Sequence, residues 1–196
     1  MKFAWSVAVS LVIAAAMAPR AEAASIKTST KTYAISGLTG KELMRSMNRR
    51  GPKHSFWNRA MAQTQYTVKW DIKYEIKGGS CRVVRANPVM DMVFVYPKPS
   101  EPLSPDLQRK WNAFLGALYK HEAQHGVYAR QMVNEAERAV RSVRVAGDAS
   151  CNRTKAVIGA RVSEIYDEYK AKQYVFDRRE HRKTSQISRL EAALTK

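Results

Sequence analysis

The hydrophobic pattern of this chain changes period once, and that change restricts the folds open to it. From Gln65 to Ile76 the residues Tyr66, Val68, Trp70, Ile72, Tyr74 and Ile76 alternate with polar partners. A period of two belongs to a half-buried strand with one face on a core. From Ser104 the period becomes helical: Leu107, Trp111, Phe114, Leu118, His121, His125, Tyr128, Met132, Ala136 and Val140 follow it to about Gly147. A sheet followed by long helices gives an α+β architecture.

Punctuation residues divide the rest. Thr32 to Ser36 has strand composition and Gly37 stops it, while the polar, β-branched stretch from Ser25 to Thr32 reads as a mobile leader. Thr39 suits a helix N-cap, with Leu43, Met44 and Met47 on one side, and Gly51-Pro52 ends that helix. Gly78-Gly79 predicts a turn, Cys81 to Val84 a return strand, and Val89 to Tyr96 a third, more buried one. The short connections predict a small antiparallel meander. Ser104, Pro105 and Asp106 open the long helix, with a bend expected near Gly126. A second helix is expected after Asn152, and from Gln173 the chain reads as a basic tail.

With 196 residues, 45% hydrophobic and 26% charged, one globular domain is expected. Residues 1–23 have the layout of an export signal: Lys2, an apolar run from Phe3 to Ala18, and Ala21-Glu22-Ala23 as a cleavage site. The run is shorter than the roughly 20 residues of a membrane span. The expected mature domain is therefore 24–196, periplasmic or secreted, and not membrane-spanning after cleavage. The formal charge of +17 favours polyanions. For an exported chain these are anionic lipid or acidic cell-envelope polymers rather than nucleic acid. In an oxidising compartment the two cysteines, Cys81 and Cys151, read as one disulfide.

The chemistry centres on His121-Glu122-Ala123-Gln124-His125, an H-E-x-x-H motif within the helical pattern. Spacing i, i+4 puts both imidazoles on one helix face, where their nitrogens can chelate one zinc ion. In this motif Glu122 is the general base towards water. A catalytic zinc site takes a third protein ligand. The sequence offers Glu164, with Asp167 and Glu168 behind it, or His181; Glu135 and Glu137 lie too far along the motif helix.

From Tyr33 to Val140 the chain resembles a bacterial family of predicted secreted zinc-dependent proteases, formerly a domain of unknown function. The matching residues are Tyr33, Ser36-Gly37, Thr39, Glu42-Leu43, Arg50-Gly51-Pro52, Ala62, Thr64, Trp70, Cys81-Arg82, Pro97, Trp111, His121-Glu122 and His125. The resemblance implies a zincin-like fold, with a small antiparallel sheet beside the motif helix and further helices behind. It implies one zinc ion and hydrolysis of a peptide or protein substrate. It also implies His181 as third ligand, with Asp177 orienting it from behind; Phe176-Asp177 and His181 match the family's C-terminal element only loosely.

The expected activity is that of a zinc metallopeptidase. Two other readings are a zinc amidohydrolase acting on cell-wall peptides and an envelope- or metal-binding protein without turnover.

Overall fold

The computed structural model describes residues 24–53 and 59–196. The export signal read at 1–23 lies outside the described residues. The elements run β1 (Ser25–Ile35), α1 (Gly40–Arg50), β2 (Gln63–Lys77), β3 (Ser80–Pro99), α2 (Pro105–Ser142), β4 (Arg144–Val145), α3 (Asn152–Glu180) and α4 (Gln186–Thr195). Over the described residues the fold is α+β, with a small mixed sheet and four helices.

β2 and β3 form the hairpin that the alternation predicts. Gly78 (φ 58°) and Gly79 (φ 70°) make its turn, and glycine takes these left-handed values without a Cβ penalty. The return strand and the third strand are one 20-residue strand, β3, which passes through Pro88. Pro88 lies just outside the β1 pairing, which begins at Val89, and beyond the β4 pairing, which ends at Arg82. That edge of β3 carries no strand at Pro88 among the described residues, a position where a missing N–H is tolerated.

The sheet is not wholly antiparallel as expected, because β1 runs parallel to β3, from Ser25 opposite Val89 to Ile35 opposite Pro99. The order is β1-β3-β2, with β4 paired to the start of β3. Nor is Ser25–Thr32 a loose leader. Its side chains are mostly exposed, and its place comes from the backbone ladder to β3, which polar composition does not reveal. The Tyr33 hydroxyl fastens the strand by donating to the Met61 carbonyl (2.7 Å).

α1 opens with a capping box: Thr39 Oγ1 accepts from Glu42 N, and Glu42 Oε2 accepts from Thr39 N. α2 has Ser104 as N-cap and Pro105 in its first turn, and it stays helical through Gly126 to Ser142, short of the expected Gly147. Gly126 allows close packing on the sheet: a Cβ there would stand 2.9 Å from Phe94 Cζ and 3.3 Å from Met92 Sδ.

The expected disulfide, Cys81–Cys151, ties the start of β3 to the start of α3. Asp148, ahead of α3, accepts through Oδ2 from Thr154 N (2.8 Å) and Thr154 Oγ1 (2.7 Å) in the first turn of that helix. The stretch from Gln173 is helix to Glu180 and again from Gln186, with Phe176, Ile187 and Leu194 buried. One apolar cluster joins α1, α2 and α4 around Leu43, Met47, Phe114 and Leu194. Another packs Ala129 and Val133 of α2 on Met90 and Met92 of β3. Together they hold the middle of α2 between sheet and helices. Among the described residues no helix is long and apolar enough to cross a membrane.

Candidate metal centre

The two motif histidines face α3 from the middle of α2, and each is only 9% exposed. Their Nε2 atoms stand 3.2 Å apart. Asp177 comes from the last turns of α3, its Oδ1 2.8 Å from His125 Nε2 and 3.3 Å from His121 Nε2. Four ligands at about 2.0–2.1 Å around a tetrahedral ion lie roughly 3.3 Å from one another. The three donor atoms stand 2.8, 3.2 and 3.3 Å apart, close to that spacing, and form a group that could hold a metal ion.

Burial works to raise the Asp177 pKa, but the hydrogen bonds and charge of His121 and His125 outweigh it and hold the carboxyl well below its usual range. Burial works against charging His125, and Asp177, with Glu122 and Gln173 adding to it, outweighs that and raises its pKa. The site thus presents an ionised oxygen to two imidazoles.

Aromatic packing fixes the rings. Phe176 stacks on His121 (centroids 4.8 Å, planes 26° apart) and meets His125 edge-on at 5.3 Å. Behind His125, Nδ1 donates to Gln173 Oε1 at 3.1 Å. His121 Nδ1 is buried and has no hydrogen-bond partner among the described residues.

Glu122 is 4% exposed and meets β2. The Thr64 hydroxyl of β2 lies 2.8 Å from its Oε2 and 2.9 Å from its backbone carbonyl. Nearby, burial raises the Tyr96 phenol pKa, with added contributions from the Glu122 and Tyr119 charges.

The structure brings only some of the sequence-derived residues together. His121, Glu122 and His125 are together, but Asp177 rather than His181 supplies the third convergent atom. His181 is exposed, its ring 6.1 Å from that of His121, and its Nδ1 donates to the Asp177 backbone carbonyl at 2.8 Å. Glu164, Asp167 and Glu168 are exposed on earlier turns of α3. Glu135 accepts from Tyr169 and Glu137 pairs with Arg141, both further along α2. Gln173 and the Thr64 contact escaped the sequence reading. The stripe Ile158, Ile165, Tyr169, Phe176 carries the signal that was available, since it extends α3 past Gln173 and brings Gln173 and Asp177 one turn apart.

Comparison with curated proteins finds no match, and comparison with solved structures finds none either. A family profile described as "Bacterial protein of unknown function (DUF922)" matches residues 30–184, which covers the motif, most of the sheet and α3. With most of its length so matched, the chain belongs to this bacterial family of unknown function.

Proposed function

We propose that the protein is a zinc-dependent hydrolase that cleaves peptide bonds outside the cytoplasm. The observation that carries this reading is the convergence of His121 Nε2, His125 Nε2 and Asp177 Oδ1, with Glu122 next to the first of them in sequence. These three residues would hold the metal, Asp177 taking the place that the sequence reading gave to His181. When bound, zinc supplies a Lewis acid that polarises a carbonyl and makes water ionisable near neutral pH.

The protein's own groups then have defined tasks. Glu122, steadied by Thr64, accepts a proton from the attacking water and returns it to the leaving amine. β2 pairs with β3 on one side, and among the described residues no strand lies on its other edge. That edge begins beside Thr64, so an extended peptide paired with it would run past Glu122. Phe176 keeps water from the outer side of His121.

The disulfide and the export signal read at 1–23 favour a periplasmic or secreted setting. The charge of +17 favours substrates held in anionic envelope polymers, so release of cell-wall peptides by amide hydrolysis is a second form of the same chemistry.

Elemental analysis of the purified protein tests the metal, and hydrolysis of a quenched fluorescent peptide library tests the reaction. One zinc per chain in wild type and none in His125→Ala is expected. Glu122→Gln should keep its zinc and lose activity by about 10²–10⁴-fold, the usual range for a general base. Absence of bound metal from the wild type would remove the reading. Zinc without turnover in wild type would leave a metal-binding protein.

A further inference from the structure

We infer that Gln173 is a positioning residue for the metal centre, holding His125 in the tautomer that leaves Nε2 free to bind a cation, and that Tyr66 sets which way Gln173 faces. This rests on the metal reading of the site.

A neutral imidazole carries one N–H. His125 Nε2 is the atom turned towards Asp177 Oδ1 and His121 Nε2. For Nε2 to offer its lone pair, the proton must sit on Nδ1, and a buried N–H there needs an acceptor. Gln173 Oε1 is that acceptor, 3.1 Å away.

A glutamine amide has two ends. If it turned over, its NH₂ would face Nδ1 and favour the opposite tautomer, with the proton on Nε2. The surroundings oppose this. Gln173 Nε2 donates to the Tyr66 hydroxyl oxygen at 3.4 Å, and the Tyr66 O–H points to Met132 Sδ at 3.9 Å. With its hydrogen directed at sulfur, the Tyr66 oxygen presents lone pairs to Gln173. A directional chain therefore runs from His125 Nδ1–H to the Gln173 carbonyl, and from the Gln173 amide through Tyr66 to Met132.

Three elements supply it: α2 gives His125 and Met132, α3 gives Gln173, and β2 gives Tyr66. Gln173 lies one helical turn before Asp177, so α3 delivers both the third donor and the group that prepares the second. His121 has no counterpart among the described residues. The support is specific to His125.

The test is zinc affinity, measured by competition with a chromophoric chelator, with circular dichroism and melting of each metal-free variant as the control for folding. Gln173→Leu removes the acceptor and should weaken zinc binding by about 10–100-fold, the usual effect of losing such a partner. Gln173→Glu keeps an acceptor and should bind zinc at least as tightly as wild type. Tyr66→Phe leaves the amide free to turn and should fall between wild type and Gln173→Leu.

Wild-type affinity in Gln173→Leu would overturn the inference. So would an equal loss in Gln173→Leu and Gln173→Glu, since that is the mark of packing alone. Failure of the wild type to bind zinc would instead overturn the metal reading, and the inference with it.

Discussion

The Thr64 hydroxyl lies 2.8 Å from Glu122 Oε2, and 58 positions separate the two residues in the chain. β2 thereby reaches the motif helix at Glu122. In the proposed reaction Glu122 carries a proton between water and the leaving amine, and this contact would aim its carboxylate. Thr64→Val removes the hydroxyl with little change of volume. Hydrogen bonds to charged groups contribute about 1.5–3 kcal/mol, so turnover should fall roughly ten- to a hundredfold. Zinc content should stay at the wild-type value, and Thr64→Ser should restore much of the rate. A fall in zinc content together with rate would place Thr64 in metal binding instead.

In the proposed metal centre Asp177 takes the place that the sequence reading gave to His181, and paired substitutions separate them. Asp177 Oδ1 is among the three convergent atoms, whereas His181 Nδ1 is engaged by the Asp177 carbonyl. Dialysis against a chelator should strip zinc from Asp177→Ala while His181→Ala keeps it. Asp177→Asn should also lose affinity, because the ionised oxygen is gone while the shape is kept. Zinc retained in Asp177→Ala and stripped from His181→Ala would return the ligand role to His181.

What the sequence disclosed follows from which interactions leave a local trace. The motif helix, its Ser104-Pro105 start, the Thr39 cap and the Gly78-Gly79 turn rest on contacts between near neighbours, so their residues stand in view. β1 left little trace because backbone pairing to β3 places it and most of its side chains stay exposed. β3 reads from the sequence as two strands, Cys81 to Val84 and Val89 to Tyr96, because local patterning does not show that the residues between them keep the pairing with β2. Within the site, His121, Glu122 and His125 share one motif. Gln173 and Asp177 meet them only because α2 and α3 pack side by side, 48 and 52 positions from His125. The basic residues around them hid the helical continuation that Phe176 marks.

The Cys81–Cys151 disulfide closes a loop with a sequence separation of 70. In the chain-entropy account, a loop of that length stabilises by roughly 4 kcal/mol. The link holds the start of α3 to the sheet, and Gln173 and Asp177 lie towards the other end of that helix. The double variant Cys81→Ser/Cys151→Ser should therefore melt at a clearly lower temperature. Excess zinc should recover part of the difference, since a ligand at about 100 times its Kd adds about 2.7 kcal/mol. Equal melting of the variant and the disulfide-bonded protein, by calorimetry, would show that the link contributes no stability.

Gly40 opens α1 directly under the end of α4: a Cβ there would stand 1.7 Å from the Leu194 carbonyl oxygen, a backbone atom that cannot swing aside. Gly40→Ala must push α4 away from the cluster that Leu194 and Ile187 complete with α1 and α2. Overpacking of this kind costs about 1–3 kcal/mol. The loss should be local, seen as faster hydrogen exchange in the amides of Gln186–Thr195. The donor atoms of the metal centre come from α2 and α3, and Thr64 comes from β2, so none of them is carried by α4. Zinc affinity in Gly40→Ala should accordingly stay within about twofold of wild type, since sites without shared partners behave nearly additively. A parallel loss of zinc binding would mean that α4 braces α2 from behind, and that the site depends on the full stack of helices rather than on the α2–α3 pair.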